Sequence, residues 1–146
     1  MKIWHIPPRY LDDATLIAEW TCLRRLNEQF KTPFSSIDSF YQKYKNHIKY
    51  VAQRYILVSR ELVVRGLSEY EVDEPELLEN TSNIKSYQFS LSDVNRDIEI
   101  LTMIWSEFEQ FDNRIFDCLE KLGLTDSEQL HQELLWINQQ LIEEYY

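Results

Sequence analysis

The chain has 146 residues, which fits one domain with a hydrophobic core. Its 44 % hydrophobic residues exclude a disordered chain, and its two glycines disfavour a fold built from tight hairpins. The net charge of −10 argues against nucleic-acid binding, yet residues 1–66 carry +5 (eleven Lys and Arg against six Asp and Glu) and residues 67–146 carry −15 (four against nineteen).

The first predicted elements are an extended N-terminal segment and a long helix. Pro7-Pro8 is predicted to exclude helix there, and Trp4 lies in an apolar context that favours burial. Asp12 or Asp13 is a good N-cap for the helix. Its apolar stripe follows helical spacing and comprises Leu16, Trp20, Leu23 and Phe30. Its opposite, solvent-facing side is predicted to carry Glu19, Arg24, Arg25 and Glu28.

Two further helices are predicted in the basic part of the chain. Ser35 or Ser36 caps the second, and a bend near Asn46-His47 precedes the third. Arg65-Gly66 ends the third, because glycine takes the left-handed cap conformation at low cost. The basic residues of this part are Lys43, Lys45, Lys49, Arg54, Arg60 and Arg65. They could hold phosphates, or they could form an ordinary solvated helix face.

The remaining chain begins with an acidic loop over residues 67–89 that contains Pro75. Ser90 with Asp93, or Ser92 alone, starts the next helix. Another helix runs from Asp112 to Gly123, and Thr125 with Glu128 forms a capping box for a last helix within residues 123–146. The predicted fold is all-α: a compact single-domain bundle of about five helices with an extended N-terminal segment, spanning residues 1–146.

The sequence gives little indication of a membrane, a metal or an oxidising compartment. No apolar run approaches the ~18 residues that span a bilayer, and the start of the chain lacks a signal-peptide pattern. Cys22 and Cys118 are too few for a disulfide framework, which favours a cytoplasmic protein. The three histidines show no metal-ligand spacing. We therefore predict no cofactor, no metal and no membrane partner.

The opening of the chain carries a recognisable pattern. It reads Met1-Lys2-Ile3-Trp4, then Pro8-Arg9-Tyr10-Leu11-Asp12, and the helix that follows contains Trp20. With weaker matches at Arg65-Gly66 and Ser92–Asn95, it resembles the pyrimidine-dimer DNA glycosylase family, the endonuclease V-like excision enzymes. The resemblance covers about residues 1–122 and is strongest at the start. Residues 123–146 have no counterpart.

The resemblance implies base excision on damaged DNA. In this family an N-terminal amine attacks the sugar C1′, a Schiff base forms, and strand cleavage follows with the help of a carboxylate. Met1 would supply the amine, because Lys2 is too large for the initiator residue to be removed readily. An α-amine titrates near pH ~8, so a useful fraction is neutral and nucleophilic at physiological pH. Damaged bases are also cheaper to unstack.

The carboxylate position of the family departs from its pattern here. The catalytic Glu falls on Cys22, and a thiol does not replace a permanent carboxylate at neutral pH. Glu19 lies one helical turn earlier and is the candidate substitute, although a solvated helix residue is the commoner case. Cys22 itself is either a nucleophile or, more commonly, a half-buried inert thiol. We predict a catalytic set of Met1, Glu19 and Cys22.

A set of basic and aromatic residues is predicted to contact nucleic acid: Lys2, Arg9, Arg24, Arg25 and Trp20. Trp20 could stack a flipped base, yet core packing is the commoner use of a tryptophan. The alternative hypothesis is a catalytically degenerate relative that binds a nucleotide, a nucleic acid or a protein. In that case the acidic C-terminal half offers a surface to a protein partner.

Overall fold

The computed structural model describes residues 2–31, 38–68, 89–107, 117, 120 and 128–145. These residues contain no strand, and the all-α, compact class predicted from the sequence is confirmed. The helices are a 3-10 turn at Pro8–Tyr10, α1 (Asp13–Lys31), α2 (Ser39–Tyr44), α3 (Ile48–Val64), α4 (Leu91–Glu107) and α5 (Glu128–Tyr145). Within the described ranges, none of these helices is long and apolar enough to cross a bilayer.

The N-terminal segment lies against the helical body as predicted, with Ile3, Trp4 and Ile6 buried. One detail of the prediction is wrong, since Pro7-Pro8 does not exclude helix and a 3-10 turn begins at Pro8. Proline is tolerated at a first helical position, because the N–H group that it lacks would have no intrahelical partner there. Asp12 then caps α1, and its carboxylate accepts a hydrogen bond from the Thr15 N–H at 3.3 Å.

The packing of α1 on α3 forms the centre of the core. The apolar stripe predicted for α1 is buried at Leu16 and Leu23, and Trp20 and Phe30 pack partly buried against it. Helix α3 contributes Tyr50, Val51, Tyr55, Val58 and Leu62. Burying an aliphatic side chain of this kind stabilises a fold by roughly 1.5–3 kcal/mol, so this interface fixes how the two helices face each other.

The boundaries of α2 and α3 follow local backbone chemistry. The predicted caps Ser35 and Ser36 lie outside the described residues, and the cap of α2 is Asp38, whose carboxylate accepts from the Phe40 N–H at 3.0 Å. The chain bends before Ile48, as predicted. At the end of α3, Gly66 takes a φ of 71°, and the N–H of Leu67 reaches the Leu62 carbonyl at 2.9 Å. This Schellman arrangement confirms the predicted stop.

Helices α4 and α5 pack on each other and complete the described part of the bundle. Ser90 and Asp93 form the predicted capping box, in which the Ser90 N–H donates to the Asp93 carboxylate at 2.8 Å. The predicted stripes are buried at Val94 and Leu101 of α4 and at Leu130, Leu134 and Leu141 of α5. The predicted acidic loop, the helix from Asp112 to Gly123 and the cap Thr125 fall mostly or wholly outside the described residues.

Candidate active site

Glu19 is buried, so the prediction that it lies on a solvated helix face is wrong. Its carboxylate accepts two hydrogen bonds from the Arg54 guanidinium, from Nε to Oε2 at 2.8 Å and from Nη2 to Oε1 at 2.9 Å. Both side chains are at most 1 % exposed. Burial alone would lower the pKa of Arg54, but the Glu19 carboxylate outweighs it and raises that pKa above its ordinary value. Arg54 is therefore a permanent cation inside the protein.

The same ion pair holds the N-terminal segment in place. The Trp4 N–H donates to Glu19 Oε2 at 2.9 Å, and Arg54 Nη1 donates to the Ile6 carbonyl at 2.7 Å. These backbone groups are buried and belong to a segment without helix or strand partners, so side chains must satisfy them. The pair consequently fixes the path of the N-terminal segment relative to α1 and α3.

A cleft of about 300 Å³ opens beside this network. Its lining comes from the N-terminal segment, α1 and α4 and consists of Lys2, Trp4, Ala14, Thr15, Ala18, Glu19, Cys22 and Ile104. The small side chains of Ala14 and Ala18 leave the space from which the cleft is made. Three residues of the predicted site, Lys2, Glu19 and Cys22, thus share one cleft, and Cys22 is buried with 8 % exposure. Met1 lies outside the described residues.

A second buried carboxylate, Asp97 of α4, holds the other side of the N-terminal segment. It accepts hydrogen bonds from the backbone N–H of His5, from His5 Nδ1 at 3.1 Å and from the Lys2 ammonium at 2.7 Å. Burial by itself would raise the pKa of Asp97, but the hydrogen bonds from His5 and Lys2 lower it below its ordinary value. Residues 2–6 are therefore held between two buried carboxylates.

Aromatic rings enclose His5. The rings of Tyr50 and Phe89 each lie 6.0 Å from the imidazole, centroid to centroid, and Tyr50 is stacked on it at an interplanar angle of 18°. His131 of α5 meets Phe89 edge-on at 5.4 Å. Burial raises the pKa of the Tyr50 phenol well above its ordinary value, so Tyr50 stays neutral. Among the described residues, no group of three or more His, Cys, Asp and Glu side chains is arranged to hold a metal ion.

The residues predicted to contact nucleic acid do not form one surface. Lys2 enters the cleft, whereas Arg9 stacks on Tyr10 and forms an ion pair with Glu133 at 2.6 Å. Arg24 lies over the Trp20 ring at 5.1 Å, and Arg25 bonds Asp38 at 3.1 Å. The Trp20 N–H donates to Ser59 Oγ at 3.1 Å, so Trp20 packs against the helical body, as in the commoner of the two predicted uses.

The basic series of α2 and α3 does not form one solvated face, because only Lys43 and Lys45 of its six residues are exposed. Arg54 and Lys49 are buried, and Arg65 is tied to Asp13 at 2.8 Å and to Glu61 at 2.9 Å. Arg60 binds Glu144 of α5 through two hydrogen bonds. Three of the six basic residues of this series, Arg54, Arg60 and Arg65, are thus paired with carboxylates of the same chain.

Two residues of this site, Arg54 and Asp97, were not identified as site residues from the sequence. A signal for Arg54 was present, because α3 is apolar around most of its circumference near Tyr50–Ile56. A helix that is apolar all round is buried, and a charge within it then requires an opposite charge. Nothing comparable distinguishes Asp97 from the other acidic residues of the C-terminal half.

Comparison with known proteins gives one match. A sequence model of the family described as pyrimidine dimer DNA glycosylase matches residues 1–75. Searches of curated proteins and of solved structures gave no match. The matched part contains the N-terminal segment and helices α1 to α3, with Glu19, Cys22 and Arg54, whereas Asp97 and all of α5 lie beyond it. The resemblance predicted for the later helices stays a prediction.

Proposed function

The chain belongs to the pyrimidine dimer DNA glycosylase family, and from this premise we propose that it excises a damaged base from DNA. The amine of Met1 is the proposed nucleophile, and Glu19 is the proposed carboxylate of the site. In the first step the amine lone pair forms a bond to C1′ while the bond from C1′ to the base breaks. The base leaves with that electron pair and takes up a proton, and opening of the sugar ring then gives the Schiff base.

The observation that carries this proposal is the hydrogen bond between the Trp4 amide and Glu19. Three residues of extended chain reach about 11 Å at most, so the Met1 amine is limited to that distance from the Trp4 nitrogen. The Trp4 nitrogen lies 2.9 Å from the carboxylate, and Glu19 lines a cleft with Lys2. Amine and carboxylate can therefore act on one sugar bound in this cleft.

Glu19 acts in this proposal as a fixed negative charge. Its two oxygens already accept hydrogen bonds from Arg54 and Trp4, so its orientation is set before DNA binds. A preorganised charge in a water-poor site stabilises the positive charge that develops on the sugar without needing to reorient during the reaction. The lining of small and apolar side chains around Ala14, Ala18 and Ile104 is consistent with such a site.

Borohydride trapping on a duplex with an abasic site tests the proposal. The wild-type chain should form a covalent protein–DNA adduct between pH 6 and 8, since borohydride reduces the Schiff base to a stable amine. A variant with two residues added before Met1 leaves Glu19 and Arg54 intact but removes the amine from its position, and it should form no adduct. An unreactive wild type, or an extended variant that reacts equally well, would overturn the proposal.

A second candidate function is binding of damaged DNA without excision. Cys22 favours this candidate, because it lines the cleft at the position where the family resemblance places the catalytic Glu. In this case the wild type binds an abasic duplex but forms no adduct, and Cys22→Glu gains at least about ten-fold in trapping. Thr21→Glu is the matched control, because it adds the same charge at the neighbouring exposed position of α1. An equal response of the two variants would contradict this candidate.

A further inference from the structure

Two glutamates of α5 each hold an arginine of the family-matched segment. Glu133 binds Arg9 at 2.6 Å, and Glu144 binds Arg60 through two hydrogen bonds of 2.8 and 3.0 Å. The glutamates are eleven residues apart, which is three helical turns to within about 20°, so both lie on the same side of α5. The rise between them along the axis of α5 is about 16 Å, so the two arginines that they bind are spaced by roughly that distance.

The two arginines are accessible and well fixed. The side chain of Arg9 is 60 % exposed and that of Arg60 is 30 % exposed. Arg65 donates to the carbonyls of Pro8 and Arg9 at 3.1 and 3.3 Å, which attaches the turn carrying Arg9 to the end of α3, the helix that carries Arg60. These hydrogen bonds fix the backbone of Arg9 relative to α3, and the ion pairs with α5 then orient the two guanidinium groups.

We propose that Arg9 and Arg60 form a contact surface for the DNA sugar-phosphate backbone, and that α5 covers this surface with Glu133 and Glu144 until phosphates replace them. The inference rests on the proposed function for the identity of the ligand. The guanidinium fork binds carboxylate and phosphate oxygens in the same two-point manner. A separation of about 16 Å corresponds to roughly five base-pair steps of duplex rise, so one DNA segment can reach both arginines.

The exchange of carboxylate for phosphate is feasible because both pairs lie at the surface. Exposed ion pairs contribute little free energy, and water and salt readily compete with them. The Arg60 hydrogen bonds lower the pKa of Glu144 below its ordinary value, so this carboxylate is charged whenever DNA is present near neutral pH. Each glutamate therefore acts as an intramolecular competitor for a phosphate position, and α5 reduces the affinity that the matched segment would otherwise have.

The test measures binding alone, by fluorescence anisotropy of a duplex with a stable abasic-site analogue between 50 and 200 mM salt. Glu144→Gln is compared with Glu143→Gln, which makes the same charge change one residue away at a side chain whose described contact is to Gln139. Glu144→Gln and Glu133→Gln should each lower the Kd by about two- to five-fold beyond the control. Arg60→Gln should raise the Kd and reduce the salt slope by about 1.

Each outcome decides the inference. Equal shifts for Glu144→Gln and Glu143→Gln would show that only overall charge matters, and an unchanged salt slope in Arg60→Gln would show that Arg60 does not meet a phosphate. Either result overturns the contact surface while leaving the excision proposal intact, because anisotropy does not depend on the Met1 amine. A wild type that binds no duplex at 50 mM salt overturns both.

Discussion

Helix α3 carries two arginine–carboxylate pairs of nearly equal geometry in opposite surroundings. Arg54 and Glu19 share two hydrogen bonds of 2.8 and 2.9 Å in the core, and Arg60 and Glu144 share two of 2.8 and 3.0 Å at the surface. The difference is water. The attraction between two charges is stronger where the dielectric constant is low. Removing one charge of a pair therefore costs more stability in the core than at the surface. Distance alone therefore does not indicate what an ion pair does.

The buried pair belongs to the architecture, whereas the surface pair can be exchanged. Arg54 and Glu19 also satisfy the backbone of Trp4 and Ile6, and no solvent is available to replace either charge. Glu144 has water as an alternative partner, and Arg60 has any anion that approaches. The contrast explains how one helix both positions the N-terminal segment and offers a binding surface.

The largest expected effect that tests this contrast is that of Arg54→Met. It leaves the Glu19 charge and the Ile6 carbonyl buried without their partner, which should cost about 3–5 kcal/mol of unfolding free energy and lower the Tm by roughly 6–20 °C. Urea unfolding at pH 7 measures it. The double variant Glu19→Met with Arg54→Met is the control, because it removes both charges and should be less destabilised than the single variant. If Arg54→Met loses less than about 1 kcal/mol of unfolding free energy, the buried pair contributes no more than an exposed pair does.

Asp97→Asn should have an intermediate effect, about 1–3 kcal/mol near neutral pH, because it weakens charge-assisted hydrogen bonds from His5 and Lys2. The pKa of Asp97 is lowered by folding, so its contribution is complete above the unfolded-state pKa of about 3.9. The contribution is lost as the pH falls through the lower pKa of the folded state. Unfolding curves of wild type and variant should converge there, and a gap that widens on acidification would contradict the assignment.

Two helix boundaries were predictable because they depend on neighbouring residues, whereas α2 is capped by Asp38 and not by the predicted Ser35 or Ser36. The box formed by Ser90 and Asp93 and the left-handed stop at Gly66 involve contacts between residues three to five apart in sequence, and both are confirmed. The wrong assignment that bears on the site was that of Glu19 to a solvated face. Helical periodicity counts any charged residue as polar, and it has no information about a partner such as Arg54, 35 residues away. A charged side chain is buried where an opposite charge pairs with it, and helical periodicity does not show that partner.

The candidate site was predictable only in part, for the same reason. Lys2, Glu19 and Cys22, which the sequence assigned to the site, line one cleft, and their functional roles stay a prediction. It did not indicate that Arg9 would be held by Glu133, because α5 lies beyond the matched residues. The protein partner suggested for the acidic half stays a prediction, and the described contacts instead direct several of those carboxylates to arginines and lysines of the same chain.

The smallest expected effect is that of Glu144→Gln on folding, and it sharpens the comparison most. An exposed pair should contribute about 0–1 kcal/mol, and this loss should disappear in 1 M NaCl, where the screening length is about 3 Å. The lowered pKa of Glu144 also predicts that the contribution is complete above the unfolded-state pKa and fades as the pH falls through the folded one. Glu143→Gln should leave stability unchanged.

The decisive measurement compares how the stability losses of Arg54→Met and Glu144→Gln respond to salt. The loss caused by Arg54→Met should persist in 1 M NaCl, because mobile ions do not reach a side chain that is 1 % exposed. The loss caused by Glu144→Gln should not persist. If both losses persist in 1 M NaCl, then burial does not separate the two pairs, and the carboxylate of Glu144 is as firmly held as that of Glu19. Phosphates could then not displace it, so stability alone would exclude the exchange on which the DNA contact surface depends.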